Sequence, residues 1–189
     1  TRLQEVLPSE TIYTSDIGEH LMFALHYLQV DHSDGFQAHL GLGSMGSGIG
    51  SAIGAKMAHL DRPVVSVCGD YGFQMFGMEL ATCVEYRIGV IFAVFNDSRM
   101  RMVEHGMDRL FGRPPNVAGP TIDYAAHGRA LGAHGITIRN SQDFEQLTDA
   151  IANSTIPTVL DIRIDPNAAF AAMDRVNSLG ASAGQNKAE

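Results

Sequence analysis

The chain has 189 residues, 13 Lys+Arg against 21 Asp+Glu for a net charge of −8, and 45% hydrophobic residues with 20 glycines. This length and composition fit one globular domain with its own core and exclude a disordered, collagen-like or coiled-coil chain. The acidic balance, without a basic cluster, speaks against a nucleic-acid or anionic-membrane partner and for a small-molecule ligand.

Apolar runs bounded by turn residues alternate with stretches of helical period, the pattern of βα units on a parallel sheet. In chain order, a strand is expected at residues 11–17 (TIYTSDI), a helix at 19–29, a poor strand at 35–40 (GFQAHL) and a glycine run at 41–54 that leads into a helix at 47–59. A strand at 64–68 (VVSVC), a helix at 74–86 and a strand at 88–95 (IGVIFAVF) follow, then a helix at 124–132, a strand at 135–138, a helix at 142–153 capped by Ser141, and a strand at 158–164. The continuous apolar strands suit a sheet buried on both faces. Residues 112–120 (GRPPNVAGP) read as a surface loop. The expected fold is α/β, a three-layer sandwich around a central parallel sheet of about six strands, with residues 1–170 as the domain and 171–189 as a flexible tail.

The longest apolar run, 90–95, is too short to cross a bilayer, and no leader-like segment opens the chain. Cys68 and Cys83 sit in apolar patterns without metal-like spacing, as buried free thiols would. A cytoplasmic location is the expectation, with no membrane partner.

Two strands run directly into turns carrying acidic residues, Gly69-Asp70-Tyr71-Gly72 and Asn96-Asp97-Ser98. In an open parallel sheet, ligands bind outside the carboxyl ends of the strands. Asp70 and Asp97 there fit either ordinary helix capping or a hard cation such as Mg²⁺ held between two carboxylates. The glycine run lets bare backbone amides approach an anion at a helix N-terminus, while Gly48, Gly50 and Gly54 equally suit close helix-to-sheet packing. Gly41, Gly43 and Gly46 match a dinucleotide fingerprint, but that fingerprint needs an apolar strand just before it and GFQAHL is a poor one. Phosphate, metal and glycine loop together favour a diphosphate cofactor held through Mg²⁺ over a nicotinamide dinucleotide.

Gly69-Asp70 followed by Asn96-Asp97 resembles the GDG…NN signature of thiamine diphosphate enzymes. Asp16-Ile17-Gly18-Glu19-His20-Leu21-Met22 and Gly41-Leu42-Gly43-Ser44-Met45-Gly46 resemble two further blocks of the acetohydroxyacid (acetolactate) synthase branch. The resemblance covers roughly residues 9–165, the diphosphate-binding domain. It implies a thiamine diphosphate-binding fold in which Asp70 and Asp97 give side-chain oxygens, and Arg99 its backbone carbonyl, to Mg²⁺. It further implies that Tyr71 and Gly72 offer amides to the diphosphate and that Gly18, Glu19 and His20 touch it from the first strand. Gly43, Ser44 and Met45 would meet the pyrimidine end, with Met45 wedged between the cofactor's rings.

Three positions depart from the pattern. Tyr71 replaces a small residue, which crowds the diphosphate end or adds a hydroxyl there; Asp97 replaces the usual second Asn; Glu19 replaces a Gln and would repel an anion unless it points away. Residues 102–109 align with the segment that shapes the substrate pocket, placing Met102 and Gly106 as substrate residues, with Gly106 where the branched-chain enzymes carry a tryptophan.

The activity implied is that of an acetolactate synthase-like carboligase, which decarboxylates a 2-oxo acid and couples the acyl unit to an acceptor carbonyl. The alternative is a 2-oxo acid decarboxylase of the sulfopyruvate or phosphonopyruvate kind. In this family the catalytic glutamate lies on a pyrimidine-binding domain. The chain is therefore expected to be the diphosphate-binding subunit of a split enzyme, active only with a pyrimidine-binding partner in an α2β2 hetero-oligomer; the alternative is a piece of a longer chain that carries that domain itself.

Overall fold

The computed structural model describes residues 2–113 and 115–168; the expected tail at 171–189 lies outside the described residues. Six strands form one parallel sheet: β1 (Ile12–Ser15), β2 (Phe36–Ala38), β3 (Val64–Gly69), β4 (Val90–Asn96), β5 (His134–Ile138) and β6 (Thr158–Arg163). Their order is β2-β1-β3-β4-β6-β5, every neighbouring pair parallel. The helices are α1 (Arg2–Glu5), α2 (Glu19–Tyr27), α3 (Ser47–Ala58), α4 (Asp70–Phe76), α5 (Glu79–Glu85), α6 (Arg101–Phe111), α7 (Tyr124–Ala130) and α8 (Asp149–Ala152).

Alternate side chains of each central strand feed opposite cores, as a sheet covered on both faces requires. Val64, Cys68, Val90, Phe92 and Val94 pack with Ile49, Phe73, Leu80 and Tyr124 from α3, α4, α5 and α7. Val65, Val67, Ile91, Ala93 and Leu160 pack with Leu3, Ala24, Leu147 and Ala152 on the other side. The three-layer α/β sandwich expected from the sequence is present. Both cysteines are buried, free and part of the first core. No helix among the described residues is long and apolar enough to cross a membrane.

The poor strand expected at 35–40 is β2, short and half-exposed because it is a sheet edge with one partner. Four local expectations need correction. The helix expected at 74–86 begins at Asp70 and breaks at Gly77, where a Cβ would stand 2.4 Å from the Phe73 carbonyl oxygen and 2.8 Å from its ring. The helix expected at 142–153 is a 3-10 turn, Ser141–Gln146, followed by the short α8, and its cap is Asn140 rather than Ser141: the Asn140 side chain accepts from Gln142 N at 2.9 Å in a capping box with Asp143. Helix α6 stands where no helix was expected. Of the three α3 glycines proposed for close packing, only Gly48 is constrained, its Cβ position lying 2.6 Å from Asp16 N; Gly50 and Gly54 face open space.

At the far edge, His134 N bonds the Pro157 carbonyl on the β6 side, so the polar groups of Gly135 face outward, where Arg129 of α7 donates Nη1 to the Gly135 carbonyl at 2.7 Å. The sheet order places β1 beside β3, with β2 and β4 reached in opposite directions. Such a switch opens a crevice at the carboxyl ends.

Candidate cofactor site

A cleft of about 670 Å³ opens at that point, lined by Gly18, Glu19 and His20 after β1, by Gly69 to Gly72 after β3, and by Asp97, Arg99 and Arg101 after β4. Gly43, Met45 and Met102 also line it. The residues singled out from three distant blocks of sequence therefore meet in one place. Ser44 lies between two lining residues without lining the cleft itself. Gly106 is not a lining residue, and a Cβ there meets nothing within 4 Å.

Asp16, which sequence reasoning did not single out, organises the floor. Its carboxylate, 1% exposed, accepts from Gly46 N at 2.5 Å through Oδ2 and meets His20 Nε2 at 2.7 Å through Oδ1. Gly46 is left-handed, φ 80°, and a side chain there would strike the Phe76 ring at 2.3 Å, so glycine is required at the N-cap of α3. The His20 ring, fixed by Asp16, folds back over Gly18 and Gly69, whose Cβ positions would lie 2.4 and 3.1 Å from it. Asp16 thus pins the glycine loop and the histidine to the end of β1. An acid four residues before a histidine, at a strand end followed by a helix, was the available signal.

Asp70 is buried, and its two oxygens accept from Tyr71 N at 2.8 Å and Ser98 N at 2.6 Å. Burial raises its pKa against those two bonds. The amide of Tyr71 thus donates to the preceding carboxylate. Burial, and then the charge of Asp70, push the Asp97 carboxyl up to about 6, with Arg101 opposing. Asp97 Oδ1 accepts from Arg99 N at 3.2 Å, while the buried Oδ2 accepts no hydrogen bond among the described residues. Two converging carboxylates, one with an oxygen that accepts no hydrogen bond, form an all-oxygen donor set suited to a hard divalent cation. Among the described residues no group of three or more His, Cys, Asp or Glu side chains could hold a metal, so further ligands would have to be backbone or cofactor oxygens. Arg99 pairs with Ala118 in a bridge whose bonds run from Met100 N to Val117 O and from Gly119 N to Ser98 O, leaving its own carbonyl outside them.

Asn96, next to Asp97, turns the other way. Its Nδ2 donates to the Ile122 carbonyl at 3.0 Å and to buried Asp161 Oδ1 at 2.8 Å, tying the end of β4 to β6.

Glu19 and Tyr71, two of the three departures, are each held by specific contacts. Glu19 accepts from Arg101 Nε and His105 Nδ1, each at 3.1 Å, so its charge is already matched. Arg101 is also 3.4 Å from Asp97 Oδ2. The Tyr71 hydroxyl donates to the Val117 carbonyl at 3.4 Å and stands 2.3 Å from the Cβ position of Gly119. It therefore packs under Val117 and Gly119, which tie this otherwise largely exposed loop to the site. His127 lies edge-on to Phe73, 6.2 Å between ring centroids, as a core neighbour.

The family described as "Thiamine pyrophosphate enzyme, C-terminal TPP binding domain" matches residues 16–162. Among curated relatives, a protein named "Probable acetolactate synthase large subunit" of Methanococcus aeolicus is 32% identical over 162 residues, 85% of this chain and 27% of that one. The protein of the same name from Methanocaldococcus jannaschii is 35% identical over 159 residues, again 27% of its length. The chain thus spans a little over a quarter of these relatives. Among solved structures, the thiamine diphosphate-dependent 4-hydroxybenzoylformate decarboxylase of Rhodococcus jostii RHA1 superposes with a TM-score of 0.79 at 21% identity, covering 87% of this chain and 31% of that one.

Proposed function

The chain belongs to the thiamine pyrophosphate enzyme family as its C-terminal, cofactor-binding domain, and from that premise we propose that it supplies the diphosphate- and Mg²⁺-binding half of an acetolactate synthase-like carboligase. The observation that carries the reading is the convergence of Asp70 and Asp97 beside the Asp16-anchored glycine loop, with Asp97 Oδ2 accepting no hydrogen bond and facing only the Arg101 guanidinium at 3.4 Å. When bound, thiamine diphosphate supplies a stabilised carbanion for decarboxylating a 2-oxo acid and passing the acyl unit to an acceptor carbonyl.

The chain's own residues hold and orient. Asp70, Asp97 and the Arg99 carbonyl would take the metal. Gly72, whose missing side chain leaves room beside Asp16, would let the diphosphate approach the backbone together with Gly18, Glu19 and His20. Gly43, Ser44 and Met45 would face the pyrimidine, the polarizable thioether filling an irregular gap. Met102 and Val103 form an apolar wall for the donor acid, and Gly106 leaves space on the same helix.

A pyrimidine-binding domain carrying the catalytic glutamate completes this site, and the reading places it on a separate subunit. Exposed apolar side chains beside the glycine loop support a covering partner: Leu42 is 97% exposed, and Met75 and Phe76 are more than half exposed or close to it at 56% and 50%.

The test has two stages. Thiamine diphosphate with Mg²⁺ should raise the melting midpoint of the chain, because a ligand of the native state stabilises it, and Asp70→Ala should abolish the rise. NAD raising the midpoint in its place would overturn the cofactor assignment. Pyruvate with an acceptor, supplied to the chain plus its pyrimidine-binding partner, should give a coupled product. Release of free aldehyde alone would assign a simple decarboxylase, and full activity without the partner would overturn the split arrangement.

A further inference from the structure

Helix α6 is amphipathic, yet its one buried residue is its first, Arg101; Met102, Val103, Leu110 and Phe111 are all at least 38% exposed. Apolar packing therefore does not hold α6 against the body. A cation in the first turn also opposes the helix dipole, so Arg101 contributes unfavourably to the helix on its own. What offsets both costs is tertiary. The guanidinium, with its side chain 5% exposed, reaches Glu19 Oε2 at 3.1 Å, Asp97 Oδ2 at 3.4 Å, the Asp165 carbonyl at 3.4 Å and the Ala168 carbonyl. One turn further on, His105 meets the other oxygen of Glu19 at 3.1 Å. The fork therefore joins four segments: the start of α2, the end of β4, the first turn of α6 and the chain after β6. A planar guanidinium can bridge them where an ammonium point charge cannot.

We infer that Arg101, paired with Glu19, is a positioning residue that latches α6 onto the cofactor cleft and so sets where Met102 and Val103 face the donor acid. The second half of this inference rests on the proposed function; the latch itself does not. It also accounts for Glu19: a carboxylate beside an anion site is tolerated because its charge is used by Arg101. Removing the arginine alone would leave Asp97 without its cation and Glu19 with His105 only, two largely buried carboxylates, which costs more than removing a charge from each side.

The test compares Arg101→Gln, Glu19→Gln and the double variant in the chain, by amide hydrogen exchange over residues 102–111. Arg101→Gln should speed exchange there about tenfold while the amides of β3 and β4, which report global folding, keep their protection. Adding Glu19→Gln should return part of that loss, because the stranded carboxylate goes with it. Unchanged exchange in Arg101→Gln, or strictly additive effects, would overturn the latch. In the reconstituted enzyme, Arg101→Gln should raise KM for the 2-oxo acid about tenfold with a smaller fall in kcat, the mark of a donor wall displaced rather than of lost chemistry. A fall in kcat at constant KM would overturn the donor-wall role. If thiamine diphosphate with Mg²⁺ fails to stabilise the parent chain, the cofactor reading fails instead, and the exchange result still decides the latch.

Discussion

Asp16 Oδ2 occupies the space beside Gly72: a Cβ on residue 72 would stand 2.1 Å from it. The same oxygen holds Gly46 N at 2.5 Å, so the first strand end, the glycine loop and the first turn of α4 are fitted together around one carboxylate. Gly72→Ala should therefore cost about 1–3 kcal/mol of stability and remove most of the cofactor-induced rise in melting midpoint. Thermal melts with and without thiamine diphosphate and Mg²⁺ check both.

Asp97 gives a pH dependence with a definite sign. Its pKa is raised in the fold from 3.8 to about 6, so the folded state binds the extra proton. The stability from this group is full below the unfolded value and is lost as pH rises through about 6. The metal-free chain should gain about 1–2 kcal/mol from this group between pH 7 and pH 5, and Asp97→Asn should flatten that gain. The metal needs the ionised form, so the rise produced by Mg²⁺ with thiamine diphosphate should shrink over the same interval. Melts from pH 5 to pH 8, with and without ligands, read both trends.

Asn96 and Asp97 are adjacent and should fail differently. Asn96→Ala removes the donor to buried Asp161 and to the Ile122 carbonyl, and should lower stability by about 1–3 kcal/mol. The cofactor affinity of the folded fraction should stay within about twofold, because Asn96 faces the sheet and not the cleft. Denaturant unfolding and a cofactor titration separate the two effects; a large loss of affinity would show that Asn96 belongs to the site.

Gly106 lies within α6 with open space at its Cβ position. Gly106→Ala should stabilise the chain by about 0.5–1 kcal/mol, as the unfolded state loses freedom and the helix gains a better former. Gly106→Trp should also fold, and should shift donor or acceptor preference in the reconstituted enzyme if this face borders the substrate. A melt followed by substrate competition checks each.

Much of the scaffold could be read before the structure because β3 and β4 are unbroken apolar segments, and the acidic turns after them carry the chemistry. What could not be read has physical causes. Strand β2 has three residues and one neighbour, too little burial to impose a pattern. Helix α6 has an amphipathic period, but Gly106 in its middle weakens the helical signal and almost none of its apolar face is buried. Spacing also cannot reveal that Glu19 meets Arg101 across 82 residues, or that Asp16 receives the amide of Gly46 across 30, since both contacts exist only once the strands lie side by side.

The bond from Arg129 to Gly135 has a consequence for the molecule among its copies. An outer strand offers unpaired carbonyls and amides to any extended chain that comes near, and this is how sheets grow into aggregates. At the β5 rim one outward carbonyl is taken by a guanidinium, so an incoming strand meets a positive charge and one acceptor fewer. At the opposite rim β2 is three residues long and gives such a strand little to grip. Among the described residues both rims of the six-stranded sheet thus discourage a further strand.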